Sequence, residues 1–286
     1  MSVIDLSRLP APAVVETLDY EAILSALKAD LIARAPELAP ALQLESEPLV
    51  KLLEVAAWRE TVLRARINDA ARAVMLAYAN GSDLDHLVAL LGVERLDGEN
   101  DDRLRHRAQF SLEGFSTAGP RLSYAYHALS ASNDVRDVHV DSPEPGVVRV
   151  VVLAQVGDSF PNGVPNAELI ARVHEYLSAD DIRPLTDTVT VVAADVITYS
   201  VRANLFVANG PDADVVLDNA RAALDEYVDQ QFGLGRDVTL SGLYRALHQD
   251  GVTRVDLIEP AENLSVAPHQ AARCVGTDIR IGGVLL

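Results

Sequence analysis

A chain of 286 residues with 24 Lys and Arg against 42 Asp and Glu carries a formal charge of −18, which argues against a nucleic-acid partner. Its hydrophobic share of 49% is that of an ordinary folded protein, long enough for about two domains and a sizeable core. Cys274 is the single cysteine, and no run approaches the roughly 18 apolar residues of a membrane span, so internal disulfides are excluded and no membrane span is expected.

Through residue 112 apolar side chains recur every three or four positions, which predicts helices. Asp19 is placed to cap a first helix running through Ile23, Leu24, Leu27, Leu31 and Ile32 and stopping before Pro36. A much longer helix is predicted from Pro48 to about Ala79, ended by Asn80-Gly81. Along it Leu49, Leu53, Ala56, Glu60, Leu63, Ile67, Ala70, Val74 and Ala77 follow alternating steps of four and three, a heptad seam interrupted by Glu60. This seam is the first candidate for a partner-helix interface; a helical hairpin with residues 19–35 would use the same stripe. The flanking Arg59, Arg64, Arg66 and Arg72 could meet acidic partners. Only Lys28 and Lys51 among the 24 basic residues are lysines, a bias that genomic base composition explains more simply than function.

Ser82 or Asp83 is expected to cap a short helix whose Leu84, Leu87, Val88 and Leu91 share one face and which Gly92 stops. A helix from Asp101 to Phe110 follows, then one with Thr117 as cap, Pro120 in its first turn, and Leu122, Tyr126 and Leu129 on one side. Beyond residue 132 the period changes to two. A strand begins at Val135, Val138 and Val140, residues 142–146 form a turn, and VVRVVVLAQV returns. A helix from Pro165 to Leu177 and the strand TDTVTVV complete one unit. ITYSVRANLFV, the helix 211–232, the shorter helix SGLYRALHQ and the strands VTRVDLI and TDIRIGG make another, suggesting a duplicated pattern. The fold class is therefore α+β: a helical region with a long heptad-patterned helix over residues 1–112, then two small α+β domains at 113–195 and 196–286.

Residues that would carry chemistry do not assemble into a motif. The seven histidines are scattered without metal-ligand spacing, and neither a phosphate loop nor a nucleophile elbow is present. Gly233, Gly235 and Gly242 are too loosely spaced for a dinucleotide fingerprint. Asp212, Asp214 and Asp218 suit a helix N-terminus, and Asp180-Asp181 a polar turn. No catalytic, metal or cofactor-binding residue is assigned, no cofactor is expected, and the chain is read as a non-enzyme.

Several long strings do carry a resemblance. DLSRLPAPAVVETLDYEAIL near the start, LESEPLVKLLEVAAWRE at 44–60 and RINDAARAVMLAYANGSDLDHLVALLGVERL at 66–96 resemble the phage baseplate assembly protein J family. EGFSTAGPRLSYAYHALSA at 113–131, DIRPLTDTVTV at 181–191 and LGRDVTLSGLYRALHQDGVTRVDL at 234–257 do so in the same order. The resemblance implies a structural wedge component of a contractile phage tail or R-type pyocin baseplate. It further implies two copies of this chain joined to one tail protein I in shared helical bundles. The C-terminal domains would link wedges into a ring around the hub, coupling receptor engagement to sheath contraction. A small lysozyme-like wedge protein, the sheath and the hub are the other implied neighbours, with assembly in the bacterial cytoplasm and residence in the tail baseplate of the released particle. The competing readings are a carbohydrate-binding or carbohydrate-cleaving module and an assembly adaptor. Trp58, the single tryptophan, and a 5% aromatic share offer little for stacking on sugars.

Overall fold

The structure, a computed structural model, describes residues 6–10, 12–114, 121–179, 182–184, 186–209 and 212–285. It is α+β with a helical N-terminal region, and it divides into two compact units, Met1–Arg95 with Asn100–Gln109 and Leu96–Glu99 with Phe110–Leu286.

In the helical unit, α1 spans Tyr20–Arg34, and the Asp19 carboxylate accepts from the Ala22 N–H at 3.1 Å. Helix α2 spans Pro48–Ala73, with Pro48 in its first turn. It does not continue to Ala79. The Leu76 and Ala79 carbonyls accept from the Arg105 guanidinium at 2.7 and 2.8 Å, which satisfies them outside any helix and holds residues 74–79 in turns. Helix α3, Gly81–Ala89, is likewise capped from a distance rather than by Ser82 or Asp83. The Gly81 N–H donates to Asp101 Oδ2 at 3.0 Å, from the first residue of α4, Asp101–Gly114. Gly81 has φ +53°, which glycine adopts without strain. Arg95 bridges Asp85 and Asp101, each at 2.7 Å. The Gly81 N–H and then Arg95 hold the Asp101 carboxyl below the usual aspartate range.

In the second unit, α5 spans Arg121–Ala131. The expected cap at Thr117, the first-turn Pro120 and the Asp180-Asp181 pair lie outside the described residues. Strands β1 (Val135–Glu144), β2 (Val147–Ala154) and β3 (Thr188–Ala193) form a sheet in the order β1-β2-β3. The hairpin turn is two residues rather than five. Glu144 pairs with Val147, Pro145 sets the first turn dihedral, and Gly146 at φ +79° supplies the second. Helix α6, Ala167–Leu177, crosses over to bring β3 parallel to β2. The second sheet places β4 (Asp195–Ala208) between antiparallel β5 (Val252–Glu259) and parallel β6 (Gln270–Leu285). Helices α7 (Ala213–Gln231) and α8 (Leu240–Leu247), capped by Asp212 and Thr239, lie between β4 and β5 in sequence. Both sheets flank a central strand with one antiparallel and one parallel neighbour. Their connections differ, because β2 follows a hairpin whereas β4 precedes both its neighbours, so the repeated pattern does not extend to topology.

Each sheet is packed by its own helices. Tyr124, Leu129, Leu169 and Val173 meet Val150, Val152 and Val191, while Leu224, Leu243 and Leu247 meet Val201, Leu205 and Ile279. The opposite side of β2 is buried too, since alternate residues Val151 and Leu153 pack with Ala194, Phe232 and Ala271. Phe232 is clamped at that point. Its carbonyl accepts from Arg136 Nε at 2.9 Å, its ring lies 5.0 Å from the Arg136 guanidinium and 5.2 Å from that of Arg273, and Gly163 leaves space where a Cβ would stand 2.5 Å from the ring.

Candidate assembly interface

Helix α2 has two apolar faces, and among the described residues only one is covered. On the covered side Val50 and Ala57 are fully buried, and Leu53 and Ala57 pack with Ile23 and Leu24 of α1. The segment leading into α1 extends this cover. Buried Asn68 accepts from the Glu16 N–H at 3.0 Å and donates to the Glu16 carbonyl at 2.8 Å, so one side-chain amide satisfies both backbone groups. Arg64 ties Glu60 and Glu16 together at 2.8 and 3.0 Å.

On the other side Leu52, Val55, Val62, Leu63 and Ile67 are between 46 and 63% exposed, with Ala56 and Ala70 open beside them. Trp58, 56% exposed, stands at the edge of this stripe. Soluble single chains seldom leave so many large apolar side chains uncovered on one helix face, and such faces mark interaction sites.

The predicted seam is divided between the two faces. Leu49 and Leu53 are half-buried, whereas Ala56, Leu63, Ile67 and Ala70 face solvent. A strict heptad drifts about 20° per seven residues around a straight α-helix, so a line starting near α1 slides outward over three turns of the pattern. Val74 is exposed and Ala77 half-buried, but both lie beyond the helix end in the turns that Arg105 holds. The short-helix residues divide similarly: Leu84 and Val88 are fully buried within the chain, Leu87 and Leu91 are half-buried, and Leu90, which the pattern did not single out, is 83% exposed. Leu52, Val55 and Val62 were also missed. Reading the helix at its true period of 3.6 residues places them with Leu63 and Ile67.

Among the described residues no group of three or more His, Cys, Asp or Glu converges to hold a metal ion, and no helix is long and apolar enough to cross a membrane. The most distinctive surface is therefore an apolar helix face rather than a reactive cleft.

Comparison with known proteins places this face in context. Three family models match in order: the Baseplate J-like N-terminal domain at residues 45–102, the Baseplate J-like central domain at 116–193, and the Baseplate J-like protein C-terminal domain at 199–281. Baseplate protein J of Escherichia phage P2 is 42% identical over 303 residues, covering 99% of each chain. The chain belongs to the baseplate J family. It is thus a structural component of a contractile-tail baseplate. The N-terminal family region spans α2 and α3, including the whole exposed stripe. Among solved structures, a chain in the six-fold symmetrised cryo-EM structure of the anti-feeding prophage baseplate is similar with a TM-score of 0.45 and 15% identity, over 62% of this chain and 42% of that one.

Proposed function

We propose that this family member is a wedge protein that assembles through the outward face of α2. Two copies join one tail protein I chain in a heterotrimer, and the sheet-bearing part links wedges into a ring around the hub. That ring couples receptor engagement to sheath contraction, with a lysozyme-like wedge protein and the sheath as further neighbours. The role is structural rather than catalytic, and assembly takes place in the bacterial cytoplasm.

The observation that carries this reading is the strip Leu52, Val55, Ala56, Leu63, Ile67 and Ala70, uncovered along a helix whose other face is already packed. Covering the exposed halves of its large side chains contributes on the order of 1 kcal/mol each, several kcal/mol for the strip. In this arrangement Leu53 supports α2 on α1 and half-buried Leu49 lies beside it, while the turn at Val74 and Ala77, the helix α3 bearing Leu84, Leu87 and Val88, and Leu91 in the turn just beyond α3 direct the chain away from the bundle.

Native mass of the complex formed on co-expression with the tail protein I of the same tail cluster tests the proposal. Two copies of this chain plus one partner are expected, and Leu63→Asp abolishes that species while leaving the isolated chain folded. A chain that stays alone beside a folded partner removes the wedge reading; an intact complex with Leu63→Asp removes this face from it.

A further inference from the structure

Helix α2 carries five cations, and their pairing is uneven. Lys51 meets Glu54 at 2.9 Å, Arg64 meets Glu60 at 2.8 Å, and Arg72 meets Asp69 at 3.8 Å. These pairs also engage all three carboxylates that α2 carries beyond its first residue pair, namely Glu54, Glu60 and Asp69. Among the described residues Arg59 and Arg66 meet no carboxylate; the Arg59 guanidinium lies 5.9 Å from the Trp58 ring. Both are exposed, in a protein with 42 acidic side chains.

Their positions on the helix give this significance. Val55, Arg59, Val62 and Arg66 follow one another at steps of four, three and four, so the two arginines lie in the outward stripe, about 10.5 Å apart at 1.5 Å per residue. The next step of three reaches Asp69, the one carboxylate of that stripe, which Arg72 already engages at 3.8 Å. If two copies met through the same stripe, a parallel arrangement would set each arginine against its own counterpart. An antiparallel one centred between them would set Arg59 against Arg66. Either of these registers would gather four guanidinium groups with Asp69 of each copy already engaged by Arg72, an arrangement that like-charge repulsion selects against.

We infer that the occupant of the outward face of α2 is an amphipathic helix whose apolar seam is bordered by carboxylates seven residues apart, paired with Arg59 and Arg66, and not the same face of a second copy. Apolar contact supplies the affinity, and the two ion pairs choose the partner and its register, as charges bordering helical seams do. This deepens the proposed function and rests on the α2 face being a helix-binding surface.

The full-length chain can be titrated with two synthetic helical peptides that share a Leu/Ala heptad seam and lack tryptophan. One carries Glu at two bordering positions seven residues apart, the other Lys. Trp58, the sole tryptophan and half-exposed at the edge of the stripe, reports binding through its fluorescence. The expected result is a blue shift on binding the Glu peptide, roughly tenfold weaker binding of the Lys peptide, and reversal of that preference in the double variant Arg59→Glu, Arg66→Glu. Raising ionic strength weakens the Glu complex by slowing its association. Both substituted side chains are solvent-facing, and circular dichroism checks that the variant retains its helix content. Equal binding of the two peptides, an unreversed preference in the double variant, or self-association that the double variant leaves untouched overturns the inference. Equal binding that Leu63→Asp abolishes leaves the helix-binding face standing without its charge selectivity. Failure of both peptides, with an intact Leu63→Asp complex, removes face and selectivity together.

Discussion

Strand β2 and helix α2 are both rich in apolar side chains and dispose of them in opposite ways. In β2 the five consecutive residues from Val150 to Ala154 are all buried, because helices cover one side of the strand and Phe232 with Ala271 the other. In α2 one side is packed on α1 and the other stays in water, with Leu63 61% exposed. The difference teaches that the sheet-bearing unit buries both sides of its apolar strand, while the helical unit keeps an apolar helix face that α1 leaves uncovered.

Substitutions on the two sides should separate these roles. The largest effect is expected for Phe232→Ala, which empties the space between Arg136, Arg273 and Gly163 and should cost about 3–5 kcal/mol in denaturant unfolding. A loss well below that range would mean the β2 side relaxes around the cavity, and the contrast with α2 would weaken. Asn68→Leu should cost about 1–3 kcal/mol, because it leaves the Glu16 N–H and carbonyl without their partner. Unchanged amide protection at Glu16 would show that the segment before α1 is not held by that amide.

Acidification sharpens the comparison more gently. Asp101 has its carboxyl lowered by the Gly81 N–H and Arg95, so its contribution is fully present above the unfolded aspartate value near about 4 and is lost as pH falls through the lower folded value. Amide exchange at Gly81 should therefore accelerate below about pH 4 in the native chain and respond less in Asp101→Asn. A response of equal size in both would remove Asp101 from the capping of α3. The smallest effect is expected where the apolar residue is most conspicuous: Leu63→Asp should change the stability of the isolated chain by no more than about 0.5 kcal/mol. A loss comparable to that of Phe232→Ala would mean that the chain itself covers this face.

Much of this contrast was legible in the amino-acid pattern. Asp19 and Pro48 mark helix starts through local chemistry, and the Val-rich run of β2 marks a strand, although its burial on both faces appears only in the structure. What escaped was set by partners distant in sequence. The end of α2 depends on Arg105, 29 residues beyond Leu76, and the cap of α3 on Asp101, 20 beyond Gly81. The seam showed that α2 is amphipathic but was drawn at 3.5 residues per turn, so it crossed from the α1 side to the open side and passed over Leu52, Val55 and Val62. The uneven pairing of Arg59 and Arg66 against Arg64 required knowing which acidic residues were already engaged, including Glu16, 48 positions away.

The second sheet has a consequence for synthesis on the ribosome. Its central strand β4 emerges first, yet both strands that complete its hydrogen bonding come later, and Asp195 waits 75 residues for Gln270. At about 5–20 residues per second, that wait lasts roughly 4–15 seconds. During it a 14-residue strand with two open edges is shielded on one side by α7 and α8 as they emerge. The local contacts between α1 and α2 face no such delay, so the helical unit can form while β4 is still unpaired. Translation speed across residues 209–270 is thus expected to influence how much chain reaches the soluble pool, and slowing it there should lengthen the interval in which β4 can pair with the wrong strand.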